Sequence, residues 1–415
     1  MMAAEPIDRR TLLARSAALG GFVGLGAVGG RRDLSTSIEA NSRHDQGRAV
    51  IGTDRDVEYA SGGARMAASL RLPASRGRLV PAAVIVAGSG PTDRNGNSPL
   101  ITYPGTSTPV LLDPYRWIAD QLSAAGVASL RYDKLGIGGT GLGPYASDPK
   151  SLYAQSFDDT YVQGARDSLA FLAAQPGVDP TRLLLIGHSE GGMITLAVAQ
   201  HPGNAPRPAG LALIEPQYGR ILSILERQYS DVIRGLGLSA ADTAILLDWL
   251  AAGVVLARTG PHGFFQPGPL PLPDAPPEAL AQQNAINQYI YGLGRTEFLS
   301  SQDAIDPVAI AGQIHQPVLI TAGTKDFATP LSPGGPPGSG VAALAAAFPS
   351  KVADLVVLPD TDHELRNVGD AVDPIDPGNG APADFAALLQ YPFSSVLADA
   401  LVQFTQRWTR ADRGR

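Results

Sequence analysis

The stretch RLLLIGHSEGGMITLAVAQH, residues 182–201, decides the reading of this chain. Leu183, Leu184, Leu185 and Ile186 form a bare apolar run bounded by Gly187, as in a strand buried on both faces of a parallel sheet. Met193, Ile194, Leu196, Ala197 and Val198 then suit a helix that covers such a sheet. So little chain separates the two patterns that the turn between them must be very tight. Gly187 and Gly191 stand two residues either side of Ser189 and remove the Cβ atoms that would clash as strand and helix approach. The arrangement G-x-S-x-G is a nucleophile elbow, which exposes a serine Oγ at the carboxyl edge of a sheet and sets the next backbone N–H at a helix N-terminus.

The same alternation extends in both directions. Residues 68–72, 81–90, 127–133 and 209–216 read as strands, and residues 113–125 and 157–174 as helices between them. That order predicts an α/β fold with a mostly parallel sheet and helices on both faces. The rhythm stops at Gln217 and resumes near Pro317 with PVLITAG. The intervening segment contains a helical pattern over 242–257 and the proline-rich FFQPGPLPLPDAPPEAL, which makes it an inserted, rather stiff cap and not a connector. The expected organisation is an N-terminal leader over 1–40, a core over 48–216, the cap over 217–315, and the rest of the core over 316–410. A last strand at 353–360 and an amphipathic helix at 394–408 close it.

Composition narrows the function classes. With 44% hydrophobic and 17% charged residues over 415 positions, the chain can bury a large core. Its formal net charge of −7, without a basic run in the body of the chain, argues against nucleic acid as a partner. The absence of cysteine excludes disulfides, thiolate metal sites and a cysteine nucleophile. The N-terminal IDRRTLLARSAALGGFVGLGAVGG, with Arg9 and Arg10 before a glycine-diluted apolar segment, resembles a twin-arginine export signal. The apolar segment, from Ser16 to Gly30, is shorter than the roughly 20 residues of a bilayer span. Export to the periplasm or the medium, with processing before Asn41, is the expectation, a cytoplasmic tail the competing one. No later segment reads as a membrane anchor, and no pattern specifies an oligomeric state.

An elbow serine needs a base and an acid, in chain order Ser, Asp or Glu, His. Of six histidines, His44 and His188 fail on order, and His201 ends the helix that leaves the elbow, about 18 Å away at 1.5 Å per residue. His262 falls in the cap and His315 precedes the strand that should supply the acid. His363, in LPDTDHELR just past the last strand, remains. Asp326, in VLITAGTKDFATP, is the carboxylate that follows the preceding strand; Asp360 and Asp362 sit too near His363 in sequence to hold its Nδ1 side. Oxyanion donors are expected from the Glu190 amide and from AGSGPTDRNGN, with Ser89 as first choice and Gly90 as second. The Glu190 side chain either pairs with Arg94 or recognises a substrate amine, the structural role being favoured.

Three segments, GSGPTDRNGN (88–97), RYDKLGIGGTG (131–141) and GHSEGG (187–192), together with Asp326 and His363, resemble the α/β-hydrolase superfamily, in its bacterial serine aminopeptidase-like and esterase branch. The likeness extends over about residues 50–410 apart from the cap. It implies an α/β-hydrolase fold, no metal or organic cofactor, and acyl transfer from an ester, thioester or amide to water through an acyl-enzyme on Ser189. Leu135 stands where relatives more often carry Arg. Acidic residues in the cap are scattered, whereas a peptidase needs a clustered anchor for a free amine. The expectation is therefore a small-molecule ester with an apolar part, contacted by Trp249, Phe264 and Phe265 unless these form the cap's own core. GIGGTG (136–141) matches G-x-G-x-x-G, but its loop does not open directly into a helix, against dinucleotide binding. A non-catalytic binding protein on this fold is disfavoured by the complete Ser189, Asp326 and His363 set.

Overall fold

A computed structural model of the protein describes residues 52–74, 77–263, 268–332, 339–376 and 383–409. The export-signal reading, Phe264 and Phe265 lie outside the described residues. An eight-stranded sheet is built from β1 (Asp54–Ser61), β2 (Ala64–Arg71), β3 (Val80–Val86), β4 (Ala128–Tyr132), β5 (Val178–His188), β6 (Gly210–Ile214), β7 (Val318–Gly323) and β8 (Ala353–Leu358). Its order is β1-β2-β4-β3-β5-β6-β7-β8. The β1–β2 and β2–β4 pairs are antiparallel and every later pair is parallel. β1 was not anticipated from its sequence, DRDVEYAS. It is an edge strand with mostly exposed residues, and its charges guard that edge instead of alternating with a buried set.

Period-2 alternation distributes the central strands between two cores. Val84 and Val86 of β3 and Leu183 and Leu185 of β5 face one side, where α2 (Gln163–Ala173) and α3 (Glu190–Gln200) pack. Ile85, Leu184 and Ile186 face the other, against α1 (Pro114–Ala124) and the C-terminal helix. Between β6 and β7 the chain forms α4 (Ile221–Gly235), α5 (Ala240–Thr259), α6 (Pro277–Ile286), α7 (Glu297–Ala304) and α8 (Pro307–Ala311); α9 (Val341–Ala347) and α10 (Ser395–Thr409) follow β7 and β8. By length and composition α5 is apolar enough to cross a membrane, which the sequence reading found nowhere after the N-terminus. Its Leu246, Leu250 and Val254 are buried in the main core.

The elbow shows why two glycines are required. A Cβ on Gly187 would lie 2.1 Å from the Gly191 carbonyl oxygen, and one on Gly191 would lie 2.2 Å from the carbonyl oxygen of Val86 on the neighbouring strand. Both contacts are to backbone, which cannot rotate away. Gly191→Ala is therefore expected to cost at least about 3 kcal/mol, the upper end of ordinary overpacking. Urea denaturation of the variant beside wild type measures it; an unchanged midpoint would mean that helix and sheet are not packed this closely.

Candidate active site

Ser189 sits between β5 and α3 at φ 55°, a region that a side chain adopts only under strain. The turn is fixed by backbone: the Ser189 amide donates to the Ile214 carbonyl at 3.0 Å, and the Ser189 carbonyl accepts from Gly192 and Gln217, each at 2.9 Å. Asp326 follows β7, and both its oxygens are engaged. Oδ1 accepts the amides of Ala328 and Thr329, each at 2.8 Å, and Oδ2 accepts from His363 Nδ1 at 2.9 Å and lies 2.7 Å from the Thr329 hydroxyl. Ser189 and His363 line the same cavity, of about 70 Å³. Asp360 and Asp362, the alternative acids, do not take the Nδ1 of the imidazole, which goes to Asp326; Asp362 instead accepts the Arg366 amide at 2.7 Å.

Electrostatics separates the two members of the pair. Burial alone would raise Asp326, but the adjoining His363, the Glu215 carboxyl and the Thr329 amide hold it well below the usual carboxylate range. Burial opposes charge on His363, yet Asp326, Glu364 and Asp362 together outweigh it and raise its pKa. An imidazole beside a fixed carboxylate in this way can accept a proton and keep it briefly.

Ser89 and Gly90 line the cavity, and the Glu190 amide lies at the N-terminus of α3. The Glu190 side chain does not pair with Arg94. It binds Lys134, while Arg94 pairs with Asp133 at 3.0 Å, so the expected structural role falls to a different partner. Trp249 does not line the cavity among the described residues. It stacks on Tyr291 at 5.0 Å and accepts the Tyr291 hydroxyl on its carbonyl, both residues packing against the main core from within the insertion. No described residue of the insertion lines the cavity; its apolar wall is Ile101, Phe327, Ile375 and Phe385. The insertion braces instead: Arg227 and Gln228 of α4 donate to carbonyls of the loop that follows Asp326.

Sequence reasoning missed several supporting residues. His188, removed as a base by chain order, is buried beside His363, with ring centroids 4.8 Å apart. Burial, then the neighbouring His363, push it down to about 3, so it stays neutral. Its Nε2–H donates to the His363 carbonyl at 3.0 Å, which leaves Nδ1 to accept the Tyr115 hydroxyl at 3.0 Å; that hydroxyl in turn accepts the Gly88 amide at 2.8 Å. One chain of bonds thus ties the histidine loop to the glycine loop after β3. Glu215, at φ 44° after β6, is fully buried and accepts the Gly323 amide at 2.7 Å. Burial and the Asp326 charge push its carboxyl well above the ordinary range. The available signal for Glu215 was a carboxylate at the end of a wholly apolar strand.

Residues 113–243 match a family model described as serine aminopeptidase, S33. That segment contains the elbow together with β4, β5 and β6. The fold is that of the α/β hydrolases. No curated protein matches the sequence. Among solved structures, a hypothetical protein from Pseudomonas aeruginosa is 15% identical with a TM-score of 0.48, covering 90% of this chain and 100% of its own. A putative hydrolase from Agrobacterium vitis S4 is 18% identical at a TM-score of 0.45, covering 86% and 99%. Est1E from Butyrivibrio proteoclasticus is 16% identical at 0.43, covering 85% and 98%. On this α/β-hydrolase scaffold the glycine-rich GIGGTG segment is a closed loop, with Gly136 and Gly141 bonded at 2.7 Å and the Gly139 amide held by Asp133 at 2.8 Å. Leu135 is buried in the main core.

Proposed function

We propose that the protein is a serine hydrolase that cleaves carboxylic esters of small, partly apolar substrates through an acyl-enzyme on Ser189. The observation that carries this is the His363–Asp326 bond at 2.9 Å, with His363 lining the cavity that the strained Ser189 also lines. His363 takes the Ser189 proton as Oγ attacks the carbonyl, Asp326 steadies the imidazolium, and the Ser89 and Glu190 amides receive the oxyanion. His363 then protonates the leaving alcohol, and water repeats the cycle with His363 as base. The space is about 70 Å³, less than half of a cavity of about 150 Å³ that admits benzene, which favours a short acyl group against Ile101, Phe327, Ile375 and Phe385.

A fluorophosphonate probe should label the folded protein, with the adduct mapped to Ser189 by peptide mass spectrometry. A p-nitrophenyl ester series should peak between acetyl and butyryl. Labelling elsewhere, or none, would sink the assignment. An amide reading has the support of the aminopeptidase family model over 113–243. It would take the place of the ester reading if Ser189 is labelled, the esters are poor substrates, and aminoacyl p-nitroanilides are turned over.

A further inference from the structure

Lys134 is 1% exposed, yet it carries an ammonium into the space directly behind the elbow. Its Nζ donates to the Gly88 carbonyl at 2.5 Å and to Glu190 Oε1 at 2.9 Å, and sits 4.7 Å from the centroid of the Tyr161 ring. The three protons of the ammonium therefore have a carbonyl, a carboxylate and an aromatic face. Glu190 Oε2 accepts from Gln302 Nε2 of α7 at 2.9 Å, and Gln302 is itself buried. An ion pair taken this far out of water contributes little net stability over a well-packed apolar replacement, so folding alone is a weak reason for it.

The position of the pair supplies a stronger reason. The Gly88–Ser89 peptide is trans, so its C=O and N–H point in opposite directions. Lys134 holds the oxygen from outside the cavity, whereas Gly88 and Ser89 line it, and this aims the Ser89 N–H inward. A cation on the carbonyl also polarises the peptide and makes its N–H a stronger donor. The other arm of Lys134 holds the side chain of Glu190, whose own amide is the second donor. We propose that Lys134 is a positioning residue for the oxyanion site, aiming both backbone amides and polarising that of Ser89, with Gln302 tying the arrangement to the insertion. This rests on Ser189 as nucleophile and on the Ser89 and Glu190 amides as the oxyanion donors.

The test uses the full chain as wild type, Lys134→Gln and Lys134→Gln/Glu190→Gln; the double variant leaves no unpaired buried charge. For a p-nitrophenyl ester, kcat of the double variant should fall by about 10- to 100-fold, less than the loss of a whole oxyanion donor, while KM stays within about 3-fold. Affinity for an alkylboronic acid, which forms a tetrahedral adduct on Ser189, should fall by a comparable factor. Wild-type kcat and boronate affinity in a folded double variant would overturn the proposal and leave the pair a packing feature. Should the double variant fail to fold, the single Lys134→Gln, whose amide still reaches for the carbonyl without charge, takes the same readings. Failure of fluorophosphonate to label wild-type Ser189 would overturn the underlying assignment, and it is seen before any variant is made.

Discussion

Ser189→Ala is expected to lower kcat by about 10⁵- to 10⁶-fold, leaving only the residual rate that bound substrate and oxyanion donors supply. The expectation follows from placement as much as chemistry. Ser189 occupies φ 55°, where a Cβ is strained by an order of 1–3 kcal/mol, and the backbone bonds to Ile214, Gly192 and Gln217 hold it there. Alanine keeps that Cβ and loses only Oγ, so the thermal midpoint of Ser189→Ala should stay within a few degrees of wild type. Ser189→Gly should be equally inactive but more stable, by about 1 kcal/mol, because glycine meets no penalty at this φ. Turnover by either variant at wild-type rate would mean that another group attacks the substrate. A glycine variant no more stable than wild type would mean that the elbow is unstrained.

Asp326→Asn is expected to lower kcat by about 10⁴-fold with little change in stability, through the tautomer of His363. Asp326 Oδ1 accepts two amides, from Ala328 and Thr329. An asparagine in the same place must keep its carbonyl oxygen there, which puts its NH₂ toward His363. Nδ1 then has to accept, the ring proton moves to Nε2, and the nitrogen facing Ser189 can no longer take a proton. The wild-type pH profile carries the complementary sign. His363 must be neutral to act as base, and its pKa lies above the ordinary 6.5, so kcat/KM should rise with pH through an acid limb centred above 6.5. A limb below 6.5, or an Asn variant within tenfold of wild type, would remove Asp326 from its role.

The legible parts of the fold were those where local pattern and burial coincide. Leu183 to Ile186 and the helix after them are apolar on every side because they are buried on every side, and the elbow glycines sit where backbone meets backbone. β1 was illegible because an edge strand need not be apolar. Within the site, chain order and strand ends were enough to single out the residues that meet as Asp326 and His363. The partners of Glu190 were not: which cation reaches it depends on how the chain leaves β4, and the fold brings Lys134 there while Arg94 goes to Asp133. Trp249 failed as a substrate contact for a related reason. An aromatic in an insertion serves the insertion's own packing first, and here Tyr291 claims it.

The wall of the cavity has a consequence of its own. Ile101, Ile375 and Phe385 line the site and also belong to a small separate core with Val110, Leu112, Val368 and Leu388. Arg366 stitches the two contributing loops together by donating to the carbonyls of Leu112 and Tyr391. Widening the pocket by trimming one of these side chains therefore removes apolar contacts that hold this corner of the molecule together. Substrate range and thermal tolerance are bound to each other here: any variant that accepts a bulkier acyl group through this wall must recover the lost packing elsewhere in the same seven-residue cluster.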